Sequence, residues 1–319
     1  MKLLFLVQAE QRAILDRLYQ GVAEGCESCD LRWLTSAQQA DLKKYFKNHV
    51  DVGSYDRILL FLRFKKEIKQ WRFLRSLPNL VFLEHDAYQN YIDCKYKGKF
   101  SRQYGRMPWV RVINSGATVV KRLREEGFDA HFVAKGYDQY LISYQEGERD
   151  IELAFIGSIK GSAYNGRKTF LEELSKVEDV LITRTNSGEE YCKALNRVRF
   201  FVSADVGMGE YMIKNFEAMA CGCVLLAYDQ GLYENQALGL RDMENVVLYH
   251  SLDDFRRKLE KLRADPALAD SIAYNGRILA EQNYSYLSVG NRVAEILSKP
   301  LRKTKYKKSF FYSLFGGLI

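Results

Sequence analysis

Two successive α/β domains, each a doubly wound parallel sheet, are what the sequence predicts. Three observations carry the prediction. Apolar strand-like runs alternate with amphipathic helical runs from the first residue. The alternation breaks at the polar stretch 137–150, YDQYLISYQEGERD, and then resumes. The 319 residues also exceed what one ordinary core needs.

The first run, KLLFLV, lacks a polar face, as a strand covered on both sides requires. Ile14, Leu15, Leu18, Tyr19 and Val22 then recur at helical spacing. DLRWLT reads as a strand, 36–47 as a helix, RILLFLR as a strand, 64–76 as a helix and NLVFLEHD as a strand. Lys95 to Arg111, KYKGKFSRQYGRMPWVR, reads as a basic and aromatic loop. WVRVINSG, ATVVKRLREEG and DAHFVAKG close the first series. The second series runs through IELAFIGSI, a helix near 165–176, DVLITR, a helix near 189–197 and RFFVSAD. It continues through a helix in GEYMIKNFEAMACGC, the strands CVLLAYD and VVLYHS, and helices near 252–264, 267–282 and 286–298. The expected units are 1–140, 141–298 and a basic, aromatic tail at 299–319. Ligands of such sheets sit beyond the carboxyl ends of the strands, so a cleft between the two units is the expected site.

A hydrophobic content of 47% excludes a disordered chain. No apolar run approaches the roughly 20 residues that span a bilayer. The opening MKLLFLVQAEQR meets charge at once, which suits a buried strand better than a signal peptide. The six cysteines include a lone CESC at 26–29, a weak zinc pattern without a second pair. Reduced thiols in a cytoplasmic protein are expected. The net charge of +8 is concentrated. Phe61 to Arg111 holds twelve Lys/Arg against four Asp/Glu, and 299–319 holds six against none. Two attachment surfaces, rather than general basicity, follow from that distribution.

The segment SADVGMGEYMIKNFEAMACGCVLLAYD carries the most chemistry. Gly207 and Gly209 allow a close backbone approach after the strand, and the helix start offers free N–H groups to a phosphate. Glu217 lies beside the packing face, where an acid needs hydrogen-bond donors such as sugar hydroxyls. Together these features describe a nucleotide or nucleotide-sugar site. A helix cap with an exposed acid would account for the same residues.

GEYMIKNFEAMACGCVLLA resembles the signature of retaining glycosyltransferases of the GT-B fold, family 4 and its relatives. FIGSIKGSAYNGRKTFLEEL, YCKALNRVRFFVSAD and ENVVLYHSLDDFRRKLEKLRADPALADSIAYNGR resemble the CgeB-like group, over about residues 110–298. The resemblance implies two Rossmann-like domains facing a central cleft. It implies that Glu217 holds the donor ribose, that Arg167 and Lys214 offset diphosphate charge, and that Gly157, Gly209, Glu210 and Asn215 complete the donor site. Two positions depart from the family pattern. Its first glutamate, eight residues before the second, is Gly209 here, with Glu210 one place on. The arginine after the glycine of the first strand is Ser158 here.

His85 and Asp86 follow a strand and face the expected cleft. The resemblance makes His85 a residue near the donor sugar, and Asp86 its partner or a binder of the acceptor hydroxyl. A hydrogen-bonded loop histidine is the plainer alternative. Lys95, Lys97, Lys99, Arg102 and Arg106 suit a phosphate-bearing acceptor, an anionic membrane surface or single-stranded nucleic acid. No recognised nucleic-acid motif accompanies them, and the resemblance to GT-B enzymes of envelope glycan assembly favours a membrane surface. In the tail, Lys303, Lys305, Lys307 and Lys308 precede Phe310 and Phe311, a pattern for shallow insertion beside anionic lipid. A tail folded back on the first domain is the alternative.

The expected activity is transfer of a sugar from a nucleotide-sugar to a hydroxyl of a bacterial surface glycan or lipid-linked acceptor, such as lipopolysaccharide. Retention and independence from metal or other cofactors are implied by the resemblance, and no DxD tripeptide occurs. The expected location is cytoplasmic, peripheral on the inner face of the membrane. A GT-B nucleotide-sugar epimerase and a non-catalytic nucleotide-sugar or nucleic-acid binding module are the alternatives. A dinucleotide oxidoreductase is disfavoured, because no strand leads into GxGxxG.

Overall fold

The computed structural model describes residues 1–11, 13–159 and 165–302. Two parallel sheets with interleaved helices make an α/β chain of two Rossmann-like units. In the first unit, β1 (Lys2–Gln8), β2 (Ser28–Leu34), β3 (Arg57–Phe61), β4 (Leu80–Glu84), β5 (Arg111–Asn114) and β6 (Asp129–Phe132) pair in the order β2-β1-β3-β4-β5-β6. In the second, β7 (Ile151–Ile156), β8 (Leu181–Thr183), β9 (Val198–Ser203), β10 (Val224–Tyr228) and β11 (Val247–Tyr249) pair as β11-β10-β9-β7-β8. Every pairing is parallel. Each sheet therefore reverses its direction of growth once, between β1 and β3 and between β7 and β9. A crevice opens at such a point, because the flanking loops run to opposite sides.

The first unit's helices are α1 (Asp16–Glu24), α2 (Ser36–Ala40), α3 (Leu42–His49), α4 (Phe64–Glu67), α5 (Trp71–Leu74), α6 (Lys99–Gly105) and α7 (Ala117–Glu125). The expected helix at 36–47 is two helices, because the Asp41 side chain accepts from Lys44 N and starts a new one. The expected helix at 64–76 is α4 and α5 joined by a 3₁₀ turn. The expected loop at 95–111 contains α6, and Phe100, Tyr104, Met107 and Trp109 are core residues. Helical spacing on α6 turns Phe100 and Tyr104 inward and leaves Arg102 outside.

The second unit adds α8 (Asn165–Leu174), α9 (Glu189–Asn196), α10 (Ile213–Ala220), α11 (Leu232–Ala237), α12 (Leu252–Ala264), α13 (Pro266–Asn283) and α14 (Tyr286–Ser298). The sequence groups α14 with this unit, yet it packs on the first. Val289, Val293 and Leu297 join Leu3, Phe5, Leu18 and Val22 in one core cluster. Gly21 and Gly290 permit the contact, since a Cβ on Gly290 would lie 2.6 Å from the Gly21 carbonyl carbon. Arg57 and Arg111 close the end of the helix. Arg111 donates to the carbonyls of Ile296, Lys299 and Pro300, and Arg57 to those of Leu297 and Lys299. Arg111 also pairs with Asp129 at 2.9 Å. These two arginines thus serve the fold rather than a basic surface.

The chain passes between the units twice, at 133–137 and 284–286, and the two passages pair. Tyr137 N donates to Tyr284 O at 2.9 Å, and Tyr286 N to Tyr137 O at 2.8 Å. Two buried acids of the second unit complete the joint. Glu210 pairs with Lys135 at 2.5 Å and accepts from Ser115 Oγ at 3.1 Å. Glu234 accepts from Thr118 N at 2.8 Å, at the start of α7, where the helix dipole favours an acid.

Candidate functional site

Both reversal points open onto one cleft of about 630 Å³ between the two units. The second unit's wall begins after β7, where Gly157 and Ser158 turn away from the sheet. A Cβ on Gly157 would lie 2.1 Å from Lys214 Nζ, so this glycine makes room for that ammonium. Lys214 stands in the first turn of α10, and its Nζ sits 4.6 Å from the centre of the Phe155 ring. Among the described residues no carboxylate lies within ion-pairing distance of it. Burial and the nearby Arg167 push its pKa down to about 8, against the pull of Asp205 and Glu217.

Arg167, from α8, is 2% exposed and lines the cleft. It pairs with Asp205 just beyond β9 and donates to Ser158 O at 2.9 Å. Asp205 also accepts from Asn215 Nδ2 and Ser203 Oγ, each at 3.0 Å. Burial alone would raise the Asp205 carboxyl, but Arg167, Lys214 and Asn215 outweigh it and hold the group below its ordinary range. Arg167 is consequently fixed in place and half neutralised, whereas Lys214 is the less compensated cation.

Glu217 lies one helical turn past Lys214, half-buried on the cleft wall. The Tyr191 side chain on α9 also lines the cleft. Burial raises its pKa to about 7, opposed by Lys214 and Tyr191. The loop after β8, Arg184 to Gly188, closes this end of the cleft. Positive charge thus meets a half-buried acid within one turn of α10, an arrangement suited to a diphosphate joined to a hydroxyl-bearing ring.

The first unit's wall comes from the loops after β1, β3 and β4. Gln8 and Gln11 come from the first, Arg63 and Lys65 from the second, and Glu84, His85 and Asp86 from the third. His85 packs edge-on against Phe61, with ring centres 4.9 Å apart. Burial and then Lys135 push its pKa down to about 3, so the imidazole is neutral across the physiological range. Glu84 accepts from Asp86 N at 2.8 Å and holds the turn that presents Asp86 to the water of the cleft. Burial, with Asp86 and Glu67 nearby, drives the Glu84 carboxyl well above its usual range.

Residues 120–298, more than half of the chain, match the family model described as glycosyl transferase-like. The chain belongs to that family. No curated protein sequence matches it. Among solved structures, Anabaena HepE in complex with UDP is 14% identical, with a TM-score of 0.68 over 93% of this chain and 100% of its own. Sucrose-phosphate synthase from Thermosynechococcus elongatus is 11% identical, with a TM-score of 0.65 over 93% and 98%. A glycosyltransferase from Rickettsia africae is 12% identical, with a TM-score of 0.58 over 93% and 97%. At these identities the likeness establishes the fold, which is GT-B.

For a glycosyl transferase-like chain, the distribution of the expected site residues is uneven. Gly157, Arg167, Lys214, Glu217, His85 and Asp86 line the cleft together. Gly209, Glu210 and Asn215 do not. The Gly209 amide donates to Gln230 Oε1 at 2.8 Å, Glu210 is spent on Lys135, and Asn215 steadies Asp205. Of the basic set, Lys95, Lys97 and Arg102 are exposed, Lys99 is half-buried, and Arg106 lies 4.8 Å from the Trp71 ring. Lys303, Lys305, Lys307, Lys308, Phe310 and Phe311 lie outside the described residues. Sequence reasoning missed Tyr191, Asp205 as the anchor of Arg167, and Lys135. A tyrosine opening a helix after a strand gives little warning, but Asp205 at the end of RFFVSAD stood in plain view.

Proposed function

We propose that the protein transfers a sugar from a nucleotide-sugar to a hydroxyl of a cell-surface glycan or lipid-linked acceptor, with retention. The observation that carries the reading is Lys214 and Glu217 one turn apart on α10, facing a cleft whose opposite wall presents Asp86. Solved neighbours of the same fold hold UDP and UDP-glucose, which supports a nucleotide-sugar as the donor. In this reading Lys214, Arg167 and the N-terminus of α10 hold the diphosphate, and Glu217 accepts hydrogen bonds from the ribose. The sugar–phosphate bond breaks as the acceptor oxygen bonds to the anomeric carbon, the electron pair leaves with the diphosphate, and the acceptor's proton passes to the departing phosphate oxygen on the same face. Lys214 and Arg167 stabilise that growing charge without needing a metal ion. Asp86 receives the acceptor hydroxyl, and neutral His85 supplies a hydrogen bond rather than a proton.

Titration calorimetry with UDP-, GDP- and dTDP-sugars tests the donor site. One of them binds the wild-type chain, and Glu217→Ala weakens it at least about tenfold; unchanged affinity refutes the assignment. A transferase consumes donor quickly only with acceptor present, whereas an epimerase turns it over alone.

The reading also places the protein in the cytoplasm, at the inner face of the membrane. The exposed Lys95, Lys97 and Arg102 support this, together with the basic tail in the sequence. No helix of the described residues is long and apolar enough to cross a membrane. Removal of 303–319 reduces flotation with anionic liposomes while donor binding persists. Equal flotation of the two chains refutes the tail's part.

A further inference from the structure

The first unit's wall carries both signs of charge. Glu84 and Asp86 come from the loop after β4, and a rim of Arg63, Lys65 and Tyr96 comes from the segments after β3 and before α6. Arg63 is held rigid by two neutral acceptors, Gln8 Oε1 at 3.1 Å and Glu10 O at 2.6 Å. Neither cancels its charge, and among the described residues neither Arg63 nor Lys65 forms an ion pair. Tyr96 is anchored edge-on by Phe64 at 5.6 Å, which in turn stacks on buried Phe100 at 3.7 Å. Lys95 Nζ lies 5.0 Å and Lys99 Nζ 5.7 Å from the centre of the Tyr96 ring. The rim is therefore a fixed apolar wall ringed by cations.

Arg63 also sits on a saddle. Gln8, Gln11 and Arg63 line both the cleft and a second, open depression of about 470 Å³, bordered as well by Glu10. A ligand whose reacting end lies at Asp86 can leave the cleft over Arg63 and continue outward. Arg63 and Lys65 line this side of the cleft without an ion-pair partner among the described residues, and a bound anion relieves their mutual repulsion. Asp86, on the neighbouring loop, disfavours the same anion beside it.

We propose that this rim is a subsite for an anionic group on the acceptor, a phosphate or a carboxylate carried beyond the reacting sugar. The proposal rests on the reading of the cleft as a glycosyltransferase site, and it specifies the acceptor class. Arg63 supplies a preorganised fork for the anion, Lys65 and Lys99 supply mobile charge, and Tyr96 covers a sugar face.

The test uses the full chain saturated with UDP, so that Lys214 and Arg167 are occupied. Methyl glucoside 6-phosphate, methyl glucuronide and methyl glucoside are titrated at low and high salt. Both anionic probes bind about tenfold or more tighter than the neutral one at low salt, and the difference shrinks as salt rises. Arg63→Gln with Lys65→Gln brings them to the neutral probe's level while UDP affinity stays unchanged. A tighter phosphate points to a phosphorylated acceptor, and a tighter carboxylate to a uronate. Equal binding of charged and neutral probes overturns the proposal, as does full affinity in the double variant. If UDP itself does not bind, the donor reading falls instead. The probes are then read on Lys214→Gln, whose rim is intact, with the same two outcomes.

Discussion

Donor binding should follow a bell-shaped pH profile, because the two groups on α10 titrate on opposite sides of the optimum. In the proposed reading ribose hydroxyls donate to Glu217, so the carboxyl must be ionised, and burial has raised its pKa to about 7. The diphosphate needs Lys214 protonated, and burial with Arg167 has lowered its pKa to about 8. Affinity therefore rises with pH through the first value and falls through the second. One unit below the Glu217 value about a tenth of that group is ionised, so affinity drops about tenfold, and the alkaline limb mirrors this for Lys214. UDP-glucose is the suitable ligand, since both of its phosphates are esterified and neither titrates in this range. Calorimetry in buffers of different ionisation enthalpy should register proton release on the acid limb and proton uptake on the alkaline limb. Glu217→Gln should remove the acid limb alone, and Lys214→Gln the alkaline limb alone. His85 contributes no limb, because its pKa of about 3 keeps it neutral throughout. A flat profile, or an acid limb that survives Glu217→Gln, would refute the reasoning.

Three substitutions probe the supports of this site. In Gly157→Ala the new Cβ meets Lys214 Nζ at 2.1 Å, so the ammonium must move. UDP-glucose affinity should fall by about tenfold, with the melting temperature nearly unchanged because a lysine tip yields easily. Lys135→Met leaves Glu210, 1% exposed, without its cation. Urea denaturation should show a loss of about 3–5 kcal/mol, and adding Glu210→Gln should restore at least half of it. Gly290→Ala drives a Cβ to 2.6 Å from Gly21 C and Val22 N. Because backbone cannot step aside as a side chain can, we expect a cost of about 1–3 kcal/mol and early proteolysis within α14.

The strands were legible in the sequence because fully apolar runs such as KLLFLV and RFFVSAD have few other ways to be buried. Helices that depend on one side-chain bond were not, and α3 exists as a separate helix because of Asp41. The stretch 95–111 misled for a different reason. Its cations and aromatics alternate along the chain, but on α6 the turn of the helix sorts them, with Phe100 and Tyr104 inward and Arg102 outward. Glu217 drew notice in the sequence because an acid beside the packing face of a short helix needs a partner, whereas Lys214 was singled out only by the family resemblance; both line the cleft. Lys135 was not, since its importance lies in Glu210, which is 75 residues away in sequence. Long-range pairs leave no trace in local pattern.

Glu210 also links the joint to the site. It belongs to the segment that runs directly into α10, so the residue that ties the two units together is four positions from Lys214 and seven from Glu217. A helix of eight residues, packed through Phe216, Ala218, Met219 and Ala220, moves as a rigid body rather than bending within its length. Any change of angle between the units that strains the Lys135–Glu210 pair therefore pulls on the entry to the helix that carries Lys214 and Glu217. The reverse holds as well. A diphosphate that draws Lys214 toward it loads the same pair from the other side, and Met212, whose sulfur lies 3.6 Å from Lys135 Nζ, bridges the two. In this chain Glu210, just before α10, serves the joint and lies off the cleft lining, so Glu210→Gln should weaken UDP-glucose binding although Glu210 touches no group proposed to hold the diphosphate. An unaltered affinity in that variant would show that joint and site are independent.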